Sequence, residues 1–451
     1  MSFPQNFAWG AATASYQIEG AVDEGGRGLT VWDDFCTKPG KVYHGHSGAI
    51  ACDHYHRYLS DVADMREIDL RAYRFSIAWS RVLPTGEGKV NEAGLVFYDR
   101  LVDELLAAGV EPWVTLFHWD YPLDLYRRGG WLNPESPKWF AEYTRVVVDR
   151  LSDRVSKWIT LNEPQCFVGL GHHRGIHAPG DMLPLDQVLL AAHHTLLAHG
   201  RAVRVIREHA KKKPSIGWAP TGEVPIPVTD SPADVAAARE LFWAVPEPGV
   251  WNQSWWNEPV LNGRYPEHGL KLHGDAVPKH TAEDMRVISE PLDFLGLNIY
   301  HGVYCRRGPD GQIERLPWPD GFPQTHNNWN VTPEALRWGP VWGHHYSKLP
   351  IVITESGMAG HDWISRDGCM HDAHRIDYLD KYLRQLHRAI QDGVPVEGYF
   401  IWSWMDNFEW AEGYRYRFGL VHVDYRTQKR TLKDSARWYA DVIRTNGRAL
   451  T

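Results

Sequence analysis

Short apolar runs rich in β-branched and aromatic residues recur along the chain. Each is followed by a polar or aromatic stretch and then by a longer segment of helical period. Eight of these runs read as strands: Phe7–Gly10, Ala72–Ile77, Pro112–Phe117, Lys157–Leu161, Ser215–Trp218, Phe294–Asn298, Ile351–Thr354 and Tyr399–Trp402. Helices are predicted over Asp53–Asp69, Leu95–Ala108, Ala191–Glu208 and Asp372–Gln391. The segment Arg306–Tyr346, dense in Pro, Gly, Asn, His and Trp, reads as a long excursion carrying at most short strands. Alternating strands and helices imply a parallel sheet, and eight strands are what a closed barrel requires. The pattern therefore predicts an α/β fold, a single (β/α)8 TIM barrel with long βα loops at its mouth. No linker, repeat or low-complexity block divides the 451 residues, so one domain over residues 1–451 is expected, although length alone would also suit two or three.

This layout carries the first functional weight. Gln17, His118, Trp119, Asn162, Glu163, Asn298, Tyr300, Glu355 and Trp402 all fall at or just past the C-terminal ends of predicted strands. In a (β/α)8 barrel that rim is where active sites assemble.

Charge and composition narrow the partners. A net charge of -8 disfavours a polyanion, so no nucleic acid is expected. No apolar run is long enough to span a bilayer, and the N-terminus lacks the basic and apolar regions of a secretory leader. The five cysteines are widely spaced with no C-x-x-C, which suits a reducing cytoplasm better than a disulfide framework. Tryptophan is frequent, at 22 residues. An indole offers a flat apolar face with an N–H at its edge, a surface matched to a pyranose ring.

Two glutamates then stand out. Thr160-Leu161-Asn162-Glu163-Pro164 ends the fourth predicted strand, and Ile353-Thr354-Glu355-Ser356-Gly357 ends the seventh. A lone carboxylate at the end of a buried strand is costly unless paired. Two on strands facing each other across one barrel suit glycoside hydrolysis, in which one acid protonates the leaving oxygen. The second attacks the anomeric carbon if the pair lies about 5–5.5 Å apart, or activates water if it lies about 6.5–9.5 Å apart.

The motifs resemble those of the family 1 glycoside hydrolases, the β-glucosidase family, over essentially the whole chain. They are Gly10-Ala11-Ala12-Thr13-Ala14-Ser15-Tyr16-Gln17-Ile18-Glu19-Gly20, Tyr73-Arg74-Phe75-Ser76-Ile77, Leu116-Phe117-His118-Trp119-Asp120, the two glutamate motifs, and the stretch from Tyr399 through Asp406-Asn407-Phe408-Glu409-Trp410 to Arg417-Phe418-Gly419-Leu420. The resemblance implies a retaining exo-β-glycosidase that needs no cofactor or metal. Glu163 would be the acid/base and Glu355 the nucleophile, with Arg74, Tyr300 and Asn298 around the latter. Asn162 would meet the sugar 2-hydroxyl. Gln17, His118, Trp119, Glu409 and Trp410 would hold the other hydroxyls, with Trp402 as floor and Phe418 closing the pocket. Trp329, in a W-x-x-x-P-E-x-L stretch, would stack on the leaving group, and Cys166 and His177 would border it. The partners implied are small β-glycosides and oligosaccharides. Terminal β-linked glucose is the expected glycone, the same contacts being compatible with fucose or galactose, and the oligomeric state is not set. One departure is Ser356, where most members carry Asn, and a change in rate or selectivity is expected from it.

Three other readings compete. A 6-phospho-β-glycosidase of this family would replace the Glu409-Trp410 pair with a smaller serine-containing stretch, because a carboxylate repels phosphate, although Arg415 and Arg417 make the loop basic. A non-catalytic sugar-binding protein on this fold would lack one carboxylate. A metal-dependent hydrolase would use histidines, but the pairs His172-His173, His193-His194 and His344-His345 are adjacent and do not face one ion.

Overall fold

The computed structural model describes residues 1–450. Eight parallel strands form the barrel: β1 (Ala8–Ala12), β2 (Ala72–Ser76), β3 (Glu111–Phe117), β4 (Lys157–Asn162), β5 (Ser215–Ala219), β6 (Leu295–Asn298), β7 (Ile351–Ser356) and β8 (Val396–Trp402). They are hydrogen-bonded in the order β5-β4-β3-β2-β1-β8-β7-β6. The seam between β5 and β6 is bridged by Asp293 N to Ile216 O at 2.8 Å and Asn298 N to Pro220 O at 3.0 Å. Every predicted strand is present, with ends moved by at most three residues, the largest shift being the start of β8 at Val396 rather than Tyr399.

Helices follow the strands: α1 (His54–Glu67), α2 (Glu92–Ala107), α3 (Ser136–Leu151), α4 (Leu185–His209), α5 (Ala282–Ile288), α6 (Ala335–Ser347), α7 (Ala373–Gln391) and α8 (Asp434–Thr445). The four expected helices are α1, α2, α4 and α7, and α4 begins six residues earlier than its pattern suggested. The excursion needs correction. It begins at the end of a strand, Gly302–Arg307, holds a short strand, Ile313–Arg315, and closes in the helix α6. Pro340 and Gly339 inside α6 mask the helical signal. Packing explains the helix: Trp338 and Trp342 stack at 4.8 Å, and a Cβ on Gly339 would meet Ile299 at 2.5 Å, so glycine lets α6 lie close to the barrel.

The barrel interior is filled rather than hollow. Trp113 packs against Phe294 and Phe400, with ring centroids 5.5 and 5.0 Å away. Facing them are Gly10 and Gly217, where a Cβ would meet the Phe400 and Phe294 rings at 2.4 Å. Large rings opposite glycines close the barrel below the rim, so the polar residues above have a dry floor. Among the described residues no helix is long and apolar enough to cross a membrane.

Candidate active site

Strands β2, β4, β6, β7 and β8 carry side chains of the site at or near their C-terminal ends, and the period of two decides which of them points inward. Arg74 of β2 is wholly buried, and all three nitrogens of its guanidinium are hydrogen-bonded. Nη1 donates to Glu355 Oε1 at 2.6 Å and to Thr354 O at 3.0 Å, Nη2 donates to Asn162 Oδ1 at 2.7 Å, and Nε donates to Thr115 Oγ1 at 3.0 Å. Tyr300 donates its hydroxyl to the other oxygen of Glu355, Oε2, at 2.7 Å. Glu355 thus receives a cation on one side and a phenol on the other.

Glu163 has different company. Asn298 Nδ2 donates to its Oε1 at 2.7 Å and to Asn162 Oδ1 at 2.9 Å, and Thr354 Oγ1 fixes that amide by donating to Asn298 Oδ1 at 2.6 Å. The thiol of Cys166 donates to Glu163 Oε2 at 3.3 Å. No cation touches Glu163 directly. Burial, and then the charge of Glu355, push the Glu163 carboxyl up to about 8. Burial raises Glu355 too, but Arg74 and the Tyr300 hydroxyl oppose it, so Glu355 releases its proton first. Burial and the two neighbouring carboxylates push Glu409 up to about 8 as well.

Around the pair lies a cavity of about 460 Å³ lined by His118, Trp119, Glu163, Cys166, His177, Tyr300, Trp329, Glu355, Trp402, Glu409, Trp410 and Phe418. A larger cleft of about 630 Å³ lies at the opposite, N-terminal end of the barrel around Phe3, Arg71 and Glu111 and contains none of this machinery. Gln17, Arg74, Asn162 and Asn298 are buried at the edge of this cavity, each bonded to a residue that lines it. Gln17 Nε2 lies 3.3 Å from Glu409 Oε2 and 2.9 Å from Asn407 Oδ1, and Gln17 Oε1 is buried without a partner. Asn162 Nδ2 donates to His118 Nε2 at 3.0 Å, which leaves the proton of a neutral His118 on Nδ1. Burial, and then Arg74, hold His118 well below its ordinary value.

Three wall residues adopt left-handed backbone without being glycine: Trp119 at φ 80°, Glu163 at 47° and Trp410 at 52°. Such conformations cost about 1–3 kcal/mol each and persist where surrounding contacts over-determine them. Here those contacts include Trp119 Nε1 donating to Asn162 O at 3.0 Å and Trp410 packed on Trp119 and Trp32 at 4.6 Å each. Gly357 of the T-E-S-G motif has a steric cause, since a Cβ there would lie 1.9 Å from Trp402 O.

All fourteen residues expected at the site are gathered at this one rim, and Cys166 and His177 are in the wall. Ser356 is not. The strand alternation turns it away from Glu355, and its hydroxyl is buried beside those of Tyr378 and Tyr399 without a well-aligned bond. The sequence reading also missed part of the outer wall: Thr221, Gly222, Glu223, Trp251, His301, Asn327, Glu412 and Tyr416. The dense run Trp251-Asn252-Gln253-Ser254-Trp255-Trp256 was the available signal for Trp251. Of the paired histidines, His193 Nδ1 meets Tyr265 Oη at 2.9 Å, and His194 Nδ1 donates to Trp131 O at 2.8 Å.

Residues 1–448 match the family model described as glycosyl hydrolase family 1. The chain belongs to this family. It is 44% identical to beta-glucosidase A of Thermotoga maritima over 99% of this chain and 98% of that one. It is 43% identical to a 1,4-beta-D-glucan glucohydrolase of Thermotoga neapolitana over 99% of both chains. A solved structure of the Thermotoga maritima beta-glucosidase in complex with glucoimidazole superposes with a TM-score of 0.90 at 43% identity, covering 99% of each chain. As a family 1 glycosyl hydrolase it is a glycoside hydrolase.

Proposed function

We propose that the protein is a retaining exo-β-glucosidase acting on short β-linked oligosaccharides and on aryl and alkyl glucosides, with Glu163 as acid/base and Glu355 as nucleophile. The observation that carries the assignment is the asymmetry of the pair. Glu355 has Arg74 and Tyr300 to keep it anionic, whereas Glu163 has only neutral donors and keeps its proton up to about 8. In the first step a Glu355 oxygen attacks the anomeric carbon while Glu163 gives its proton to the departing glycosidic oxygen. In the second, Glu163 takes a proton from water, whose oxygen attacks the same carbon and frees Glu355.

The remaining residues bind. Asn162 reads the 2-hydroxyl, and Gln17, His118, Trp119, Glu409 and Trp410 read the others. The sugar stacks on Trp402, with Phe418 closing the pocket. Trp329 packs on Tyr300 at 4.9 Å and offers its face to the leaving group, bordered by Cys166 and His177. Glucose is the favoured glycone, because the relatives above are named for it, and galactose or fucose are secondary substrates. A phosphorylated glycone is disfavoured. Glu409 is buried in the cavity, and both loop cations are already paired, Arg417 with Asp406 at 2.6 Å and Arg415 with Glu412. One hydrophobic core running from Phe3 to Leu450 supports a single catalytic unit over residues 1–451. Five unpaired thiols favour the cytoplasm as its compartment, where it would finish the breakdown of cellulose fragments.

The test is hydrolysis of an aryl β-glucoside by wild type, Glu163→Gln and Glu355→Gln, with product stereochemistry followed by NMR. The β-anomer should form first, and each variant should lose on the order of 10²-fold or more. An active wild type with unaffected variants would overturn the assignment.

A further inference from the structure

The loop after β6 is held from the outside of the barrel. Tyr300 meets Glu355 through its hydroxyl, but its backbone carbonyl accepts two further hydroxyls, Tyr378 at 2.9 Å and Tyr382 at 3.0 Å. Both come from α7, one turn apart on a single face. Their rings stack at 3.8 Å with 20° between planes, and both residues are almost fully buried. Phenylalanine would fill the same space, so the hydroxyls themselves require an explanation.

Tyr382 makes a second link. Its oxygen accepts the backbone N–H of Thr332 at 2.9 Å, and Thr332 Oγ1 accepts the N–H of Gly302 at 2.7 Å. Thr332 lies three residues beyond Trp329, whose ring packs on Tyr300. One phenol therefore touches both the peptide that aims the Tyr300 hydroxyl and the loop that carries Trp329.

We propose that Tyr378 and Tyr382 are positioning residues. By pinning the Tyr300 carbonyl they set where the Tyr300 hydroxyl meets Glu355, and Tyr382 alone ties that point to the Trp329 loop. The inference rests on Glu355 being the nucleophile.

The groups facing Glu355 are Arg74 from β2, Glu163 from the end of β4, Asn298 and Tyr300 from the end of β6, and Glu409 from the loop after β8, and phenylalanine substitutions on α7 alter none of them chemically. Donation from Tyr300 favours the carboxylate. Loosening it raises the Glu355 pKa, so the acid limb of kcat/KM, which requires ionised Glu355, moves to higher pH.

The experiment is a double-mutant cycle of Tyr300→Phe with Tyr378→Phe and with Tyr382→Phe, read by kcat/KM against pH. Each α7 variant should lose about tenfold and shift the acid limb upward, as expected for weakening one bond to a charged group. In the Tyr300→Phe background the loss from Tyr378→Phe should disappear. Tyr382→Phe should also penalise glucosides with a bulky aromatic aglycone more than methyl glucoside, whereas Tyr378→Phe should not. An unmoved acid limb, or a Tyr378→Phe loss that persists undiminished without the Tyr300 hydroxyl, would overturn the proposal. If Tyr382→Phe does not yield folded protein, Tyr378→Phe carries the same cycle. A Glu355→Gln enzyme with full activity would instead remove the assignment on which the proposal stands.

Discussion

The thiol of Cys166 donates to Glu163 Oε2 at 3.3 Å, so a soft, weak donor sits on the carboxyl that is pushed up to about 8. A donor on a carboxylate favours its ionised form. Cys166→Val, which keeps the burial and loses the donor, should raise the Glu163 pKa. Because leaving-group departure needs protonated Glu163, the alkaline limb of kcat/KM should then move to higher pH, by about half a unit. Cys166→Ser, a stronger donor, should move it to lower pH. Limbs that coincide in all three proteins would show that the thiol only fills space.

The raised carboxyls also bear on stability. A group with a folded pKa near 8 and an unfolded value near 4.3 costs stability increasingly as pH rises between the two, since the folded state retains the proton. Glu163→Gln and Glu409→Gln carry no such penalty. Each should melt at the same temperature as wild type near pH 4.5 and about 1–3 °C higher near pH 8.5. Differential scanning calorimetry at the two values decides, and a gain at pH 4.5 alone would reverse the sign of the argument.

The barrel was legible because its strands are short β-rich runs with polar residues clustered past their ends, and Glu163 and Glu355 follow from that position alone. Glu409 and Trp410 were legible only through family motifs, because nothing in the spacing brings Glu409 beside Gln17, 392 positions away. The outer wall was not legible. Glu223, Trp251 and His301 sit on loops, where neither periodicity nor turn chemistry fixes a direction. Ser356 shows a subtler limit: a change in rate or selectivity was expected at this position, and the strand period of two sends its side chain toward Tyr378 and Tyr399 rather than toward the cavity. Any effect of Ser356→Asn on rate must then travel through that tyrosine layer.

Beneath the loop that carries Glu409 lies a buried ionic cluster. Lys433 Nζ donates to Asp362 Oδ2 at 2.5 Å and Asp406 Oδ1 at 2.7 Å, while Arg375 bridges Asp362 and Asp372 at 2.8 Å each. Burial raises Asp406, but Lys433 and Arg417 outweigh it and hold the carboxyl at about 2. That contribution is complete above the unfolded value near 3.9 and is lost as pH falls through about 2. Lys433→Met removes one cation from between two buried aspartates. It should destabilise the protein by about 3–5 kcal/mol at pH 7, read as a lower urea midpoint, and weaken glucoside turnover through Glu409. A midpoint equal to wild type would mean that Arg375 and Arg417 suffice to neutralise both aspartates.

Beyond the catalytic cavity lies a second one of about 380 Å³, which shares Thr221, Gly222, Glu223 and Trp251 with it. Its wall includes Gln165, whose Nε2 is buried without a partner, together with Phe242, Asn252 and Gln253. Polar groups among apolar rings suit a sugar, and the shared wall lies on the leaving-group side, past Trp329 and His301. A trisaccharide or longer substrate would place its distal rings there, whereas an aryl glucoside or a disaccharide would not reach it. Ala244 lines only this second cavity, so Ala244→Trp fills it without touching the carboxylates. The variant should keep kcat/KM on aryl glucoside and disaccharide within about twofold and lose roughly 3- to 10-fold on tri- and tetrasaccharides, the worth of about one net hydrogen bond or stacked ring. Equal losses on all four substrates would indicate a distorted barrel mouth. No loss on any would place the leaving chain outside the cavity, in solvent.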